Sequence, residues 1–387
     1  MSYNPRFNYN DAIVRGLMRI EAARAVVDVL PVPLDVGLRL RVEARVRSTH
    51  HSTRIEGNRM KESAVTGAVL NSMTRRAPDE VEVRNYWRAL EWIELQCENP
   101  DLRIGESTFR ALHAIILPPE KPGRPPKRSV YRTTEIGVID ARTRDYEYQA
   151  PEPAHVPALM AGLAAWLASS AAASLPGPVR AAILAYQFVT VHPFVDGNGR
   201  TTRALATMEL WRSGYGMRGF LSVEEHYTRD LGRYYAMLQM GLPANYHEGR
   251  HDPDLTPWIG YFVETLAAAA DDVRRRATEL YRAGHGAEPS PGEVLGRLQQ
   301  QLLWRGFERA LVSRSPPSFR STDVAAWFGV HEKTAAEWLQ GWRGEDFVAP
   351  ASGDKRITAW KFSQFWETII MKACANLLNK ESDKEGV

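Results

Sequence analysis

An apolar helix broken by proline, followed by a glycine-rich turn that opens a second helix, constrains this chain more than any other stretch. Val179 to Val191 (VRAAILAYQFVTV) reads as the first helix. It should stop against Pro193, because the residue before a proline is pushed out of the helical region. Asp196, Gly197, Asn198 and Gly199 favour an irregular loop, and helical composition resumes at Arg200. A loop with two glycines at a helix start lets backbone N–H groups approach a phosphate, and the helix dipole favours the anion. Arg200 and Arg203 lie three residues apart, so they share a helix face on which both can reach an oligophosphate. Asp196 is a hard oxygen ligand suited to Mg²⁺. His192 is the side chain best suited to take a proton near pH 7. The expectation from these residues is a phosphoryl- or nucleotidyl-transfer site.

The twelve residues His192–Arg203 also resemble the Fic family signature H-x-F-x-[DE]-G-N-G-R-x-x-R, matching it at every fixed position. The resemblance implies a mostly α fold, with a helical core and a small β-hairpin flap. It implies a protein adenylyltransferase that moves AMP from ATP to a Ser, Thr or Tyr hydroxyl of a target protein, with automodification as a side reaction. In that reading His192 deprotonates the hydroxyl and Asp196 holds Mg²⁺. Asn198 and the amides of Gly197 and Gly199 hold the α-phosphate, and Arg200 and Arg203 hold the β- and γ-phosphates. Thr201 and Thr202 lie in the same nucleotide-binding stretch, and Phe194 anchors the loop in the core. Related transferases move phosphate, UMP or phosphocholine. Those that phosphorylate carry a lysine where Gly199 stands here, which favours nucleotidyl transfer.

Upstream, Ser52-Thr-Arg-Ile-Glu-Gly-Asn58 reads from the residues alone as a helix terminus with Gly57 as its C′ residue. It also resembles the family's inhibitory motif [ST]-x-x-x-E-[GN], through Ser52, Glu56 and Gly57. The resemblance implies a salt bridge from Glu56 to Arg203, placed where the γ-phosphate would bind. Some inhibited relatives use this glutamate to activate water and remove AMP, so a de-adenylylating or dual activity stands as an alternative.

The chain has 387 residues, with 44% hydrophobic and 25% charged residues and a net charge of +3. These are globular values and suggest two or three domains. The small net charge does not by itself indicate a nucleic-acid partner. Cys97 and Cys374 fit no metal spacing and read as reduced thiols. The polar N-terminus and the lack of a long apolar run point to a cytoplasmic protein with no membrane association.

Helices are expected over Asp11–Leu30, capped by Asn10 or Asp11, over Leu34–Thr53, and over Met60–Asn99 with an interruption at Pro78. Glu106–Leu117 and His155–Ser170 follow. Residues 1–104 form an N-terminal helical region, and 105–283 the catalytic core with its flap at about 133–150. Pro118–Arg132, with five basic residues, reads as a solvated loop. Glu135–Asp140 and Asp145–Gln149 read as a hairpin around Ala141–Arg144. In the family this hairpin would dock the target segment by strand addition. Tyr234 and Tyr235 lie on a helix after the signature, and Tyr235 is the candidate for contact with the adenine. Pro257 starts a further helix, and Gly284–Pro291 is the linker.

Residues 292–378 resemble a winged helix: a first helix to Val312, a short helix capped by Ser321 or Thr322, and a turn at Gly329. A recognition helix over Glu332–Trp342 and a wing over Phe347–Lys361 complete it. Lys333 and Arg343 share the recognition helix with Glu332 and Glu337, which favours a protein contact over nucleic acid. A nucleotide-sensing DNA-binding regulator is the alternative of a different class, and a homodimer is left open. The charged tail, 379–387, is expected to lack structure.

Overall fold

The structure, a computed structural model, describes residues 3–70, 77–99, 101–117, 129–139, 146–283, 295–351 and 357–385. The chain forms two compact units, one of Met1–Val29, Ala44–Val69 and Met73–Arg275, the other of Leu30–Glu43, Leu70–Ser72 and Arg276–Val387.

In the first unit, α1 (Asp11–Val29) is capped by Asn10, whose Oδ1 accepts from Ile13 N at 2.9 Å. α2 (Leu34–Ile55) runs two residues past the expected end, and Gly57 follows it with φ +95°. After α3 (Glu62–Leu70), Pro78 opens α4 (Pro78–Gln96) instead of interrupting a longer helix. A proline is tolerated in a first turn, where its missing N–H has no partner to lose. α5 (Glu106–Ile116) comes next. A two-stranded antiparallel hairpin of β1 (Gly137–Ile139) and β2 (Tyr146–Gln149) follows, with Val138 opposite Tyr148. Its expected turn, Ala141–Arg144, lies outside the described residues. α6 (Val156–Leu167) and the single turn α7 (Ser170–Ala173) lead into α8 (Gly177–Val191).

α8 is apolar on every face and is therefore a core helix. Val179, Ile183, Leu184, Phe188 and Val191 are fully buried, and Trp258 Nε1 donates to the Ala182 carbonyl at 2.8 Å. At roughly 1.5–3 kcal/mol per buried apolar side chain, this burial anchors the helix whose end carries His192. α9 (Asn198–Arg212) packs along α8, and α10 (Glu224–Arg229), α11 (Leu231–Gln239) and α12 (Thr256–Ala283) follow.

The second unit holds α13 (Arg297–Ser313), α14 (Ser321–Phe328), α15 (Glu332–Gly344) and α16 (Gln364–Glu385). Its strands β3 (Ser318–Phe319), β4 (Val348–Pro350) and β5 (Trp360–Phe362) form an antiparallel sheet ordered β3-β5-β4. Phe307, Phe319, Val324, Leu339, Phe347 and Phe362 make its core.

Four expectations are corrected here. The first half of α2 belongs to this unit and not to an N-terminal region: Lys372 Nζ lies 3.3 Å from Asp35 Oδ2, and Arg41 sits over the Trp304 ring at 4.6 Å. α14 is capped through Arg320, whose N–H donates to Asp323 Oδ2 at 2.9 Å, and not by Ser321 or Thr322. The carboxylate three residues on captures the cap amide more strongly than a hydroxyl would. The tail expected to lack structure is helical through Glu385, because charge prevents core burial but not propagation of a nucleated helix. Arg132, read as part of a solvated loop, is buried. The linker Gly284–Pro291 and the centre of the wing, 352–356, lie outside the described residues.

Candidate active site

α8 ends on His192, which adopts the left-handed conformation (φ 50°, ψ 59°) and turns the chain out of the helix ahead of Pro193. Its Nδ1 donates to the Val189 carbonyl at 3.1 Å, and this leaves Nε2 as the basic nitrogen. Burial pushes the imidazole below its ordinary pKa, against the opposing pull of the Val189 carbonyl. His192 is therefore neutral and able to accept a proton at neutral pH.

Three groups that no short motif announces hold this turn in place. Arg132 donates from Nε to the His192 carbonyl at 2.8 Å, from Nη1 to Thr134 O at 2.9 Å and from Nη2 to Pro151 O at 2.5 Å. A buried guanidinium on the free carbonyls of a helix C-terminus complements the negative end of its dipole. Tyr148 of the hairpin donates to the Thr190 carbonyl. His113 of α5 stacks on Phe194 at 3.6 Å, and its Nε2 lies 2.8 Å from the Asp196 carbonyl. Burial lowers the pKa of His113 to about 4, so Nε2 is a neutral donor. Phe194 is itself buried, at the anchoring position expected of it.

Gly197 caps α9 with φ +75°, a conformation costly to any residue with a Cβ. Asn198 closes the loop on itself: its Oδ1 accepts from Phe194 N at 2.9 Å, and its Nδ2 donates to Phe194 O at 2.8 Å. Thr201 and Thr202 turn their hydroxyls back to the carbonyls of Gly197 and Asn198, each at 2.8 Å. All three side chains are thus committed to the loop, and contact with an anion at these positions falls to the first-turn N–H groups of α9.

The two arginines also part company. Arg200 is buried and paired with Glu82 of α4, while its Nη2 lies 3.3 Å from Asp196 Oδ1. Glu82 in turn accepts from Asn58 Nδ2 at 2.7 Å. Arg200 is thus paired with the carboxylates of Glu82 and Asp196, while Arg203 is the arginine that lines the adjoining cavity. Asp196 keeps 71% of its side chain exposed.

Arg203 does reach the cavity. Its Nη2 meets Glu56 Oε1 at 2.8 Å and the Ser52 carbonyl at 2.8 Å, and its Nε donates to Ser52 Oγ at 2.9 Å. Burial by itself would lower the Arg203 pKa, but the Glu56 carboxylate, with the Tyr234 and Tyr86 hydroxyls, makes the net shift upward. The approach depends on the missing side chain of Gly199, where a Cβ would stand 2.3 Å from Glu56 Oε1. Glu56, His192, Gly199, Arg203, Tyr234 and Tyr235 share one cavity of about 530 Å³, closed on another side by Val138 and Glu147 of the hairpin. Tyr235 is 43% exposed there and donates from Oη to the Ile55 carbonyl at 3.2 Å, whereas Tyr234 is buried. The structure thus brings Ser52, Glu56, His192, Gly199, Arg203 and Tyr235 together.

Residues 103–210 match the model of the Fic/DOC family. The chain is 27% identical over 243 residues to the protein adenylyltransferase Fic of Culex quinquefasciatus, covering 62% of this chain and 43% of that one. It is 30% identical over 210 residues to the protein of the same name from Drosophila willistoni, covering 52% and 39%. The chain thus spans about half or less of the length of these relatives. Its fold is similar to that of a Fic family protein from Desulfovibrio desulfuricans G20, with a TM-score of 0.57 and 23% identity over 94% of this chain and 99% of that one. Among the described residues no helix is long and apolar enough to cross a membrane.

Proposed function

We propose that this chain transfers AMP from ATP to a hydroxyl side chain of a target protein, and that Glu56 holds the activity down. The observation that carries this reading is one cavity bounded by a neutral histidine, the start of α9 and an arginine occupied by a carboxylate. The residues suit ATP with Mg²⁺: the cavity is large enough for the nucleotide, and Asp196 offers an exposed carboxylate for the cation. When bound, the ion neutralises phosphate charge.

In this mechanism His192 Nε2 takes the hydroxyl proton as the oxygen attacks the α-phosphorus and pyrophosphate leaves. The first-turn amides of α9 receive the charge of the α-phosphate, Arg203 takes the γ-phosphate, and Tyr235 flanks the adenine. β1 presents its outer edge to an extended target segment. In the resting enzyme Glu56 fills the γ-phosphate position and repels the anion that would replace it. Because Glu56 lines the same cavity as His192, activation of water for AMP removal is the second reading. The second unit serves a partner contact, with a protein favoured over nucleic acid.

Incorporation of α-label from ATP by wild type, Glu56→Gly, Arg203→Ala and the double variant tests the core of this reading. A charged hydrogen bond is worth about 1.5–3 kcal/mol, so Glu56→Gly should raise transfer roughly tenfold to a hundredfold. The double variant should stay slow. Equal activity of Glu56→Gly and wild type would sink the inhibitory role.

A further inference from the structure

Two histidines immediately precede the Ser52–Gly57 stretch, and a carboxylate follows it. His50 and His51 of α2 and Glu62, the first residue of α3, offer three ligand atoms that all lie within 4.8 Å of one another. His50 is 6% exposed, the His51 side chain 14% and the Glu62 side chain 42%. The cluster is therefore closed on the protein side and open on the carboxylate side.

A hydrogen bond orients the His51 ring. Thr228 Oγ1 donates to the Glu225 carbonyl at 2.9 Å, so it accepts from His51 Nδ1 at 2.7 Å. His51 Nε2 then faces Glu62 Oε2 at 3.6 Å, beyond hydrogen-bond length. The His50 ring meets that of His51 edge to face, with centroids 4.9 Å apart. The His51 imidazole is fixed by one nitrogen and offers the other, the outer-shell arrangement typical of metal-bound histidines. Two imidazoles and a carboxylate are a zinc donor set, with water in a fourth position. Tetrahedral zinc with bonds of about 2.0–2.1 Å places its ligand atoms about 3.3 Å apart. The His51–Glu62 separation needs little closing to reach that.

We propose that His50, His51 and Glu62 form a zinc site that staples the end of α2 to the start of α3. Glu56 lies between these ligands in sequence, so the bound ion holds its turn and keeps the carboxylate on Arg203. Zinc is then an inhibitor of transfer. The regulatory half rests on the transfer reading above, whereas the site and the clamp do not.

A second cluster, Glu152, His155 and His247, serves as the control. Its side chains are about half exposed, and both rings bond the same Glu152 oxygen, at 3.1 and 2.6 Å. The full chain, untagged and stripped with chelator, is titrated with Co²⁺ and then Zn²⁺. Expected are one cobalt ion with the visible absorption of a four-coordinate site and its displacement by zinc. Glu62→Gln, isosteric and half exposed, should weaken binding at least about tenfold, and Thr228→Val about 10–100-fold, as outer-shell losses do. His247→Ala should change nothing. Zinc should slow hydrogen exchange at residues 56–58 in wild type and not in Glu62→Gln, and should depress automodification in the same pattern. No uptake by wild type, or loss of uptake with His247→Ala alone, overturns the site. Uptake with unchanged exchange at 56–58 overturns the clamp. The binding and exchange readouts need no catalysis, so they stand or fall apart from the transfer reading.

Discussion

At the scale of single residues, two histidines with depressed pKa values behave differently. His192 works as a base only when neutral, and burial places its pKa below the ordinary value of about 6.5. The acid limb of kcat/KM should therefore lie below pH 6.5, with a flat rate from there to pH 8. A limb centred above that value would contradict the assignment. His192→Ala should lose about 10²–10⁴-fold in rate while retaining ATP affinity, measured by equilibrium binding. His113 touches no proposed substrate but acts on stability. Its folded pKa of about 4 lies below the unfolded value, so the unfolded chain binds the extra proton between these values. Stability should fall as pH drops through that window, by roughly 3 kcal/mol from this residue. Urea unfolding at pH 7 and pH 4.5 should show a smaller pH difference in His113→Gln than in wild type.

At the scale of elements, the junction of α8, the hairpin and the loop depends on Arg132. One side chain serves the carbonyls of His192, Thr134 and Pro151. Arg132→Ala should cost about 3 kcal/mol or more, since each charged hydrogen bond is worth about 1.5–3 kcal/mol. Arg132→Lys should not restore it, because an ammonium cannot fork to three separated carbonyls. Chemical denaturation beside automodification measures both effects, and a stable but inactive Arg132→Ala would place its role in positioning His192 alone.

At the scale of the whole chain, α2 joins the two units covalently: its first half belongs to one and its second half, leading to Glu56, to the other. Every proposed catalytic residue precedes position 284, so transfer per folded molecule should survive an end at Gly284. The same truncation removes the unit to which the buried Leu38, Leu40 and Val42 belong. The shortened protein should bind a hydrophobic dye and lose soluble yield, and polar substitutions at these three positions should restore it. A truncated chain as soluble as the full one would contradict the assignment of residues 30–43.

Local order was legible in the sequence because its causes are local. Pro193 stops a helix, glycines open a loop at Gly197 and Gly199, apolar periodicity marks α1, and apolar composition marks α8. The signature and the Ser52–Gly57 stretch were visible as words, and the family resemblance was needed to join them across the chain. What only the tertiary structure decided is how each polar group is used. Arg200 and Arg203 have the same side chain on the same helix, yet Glu82 takes one and the cavity receives the other. Asn198, a candidate phosphate ligand, serves the loop backbone. Arg132, in a stretch that reads as solvated, became a buried clamp because the carbonyls of one helix end and of two non-helical residues, Thr134 and Pro151, lay within its reach. Sequence determines which conformations a short segment can adopt, whereas the partner of a buried charge is set by which distant elements desolvate it together.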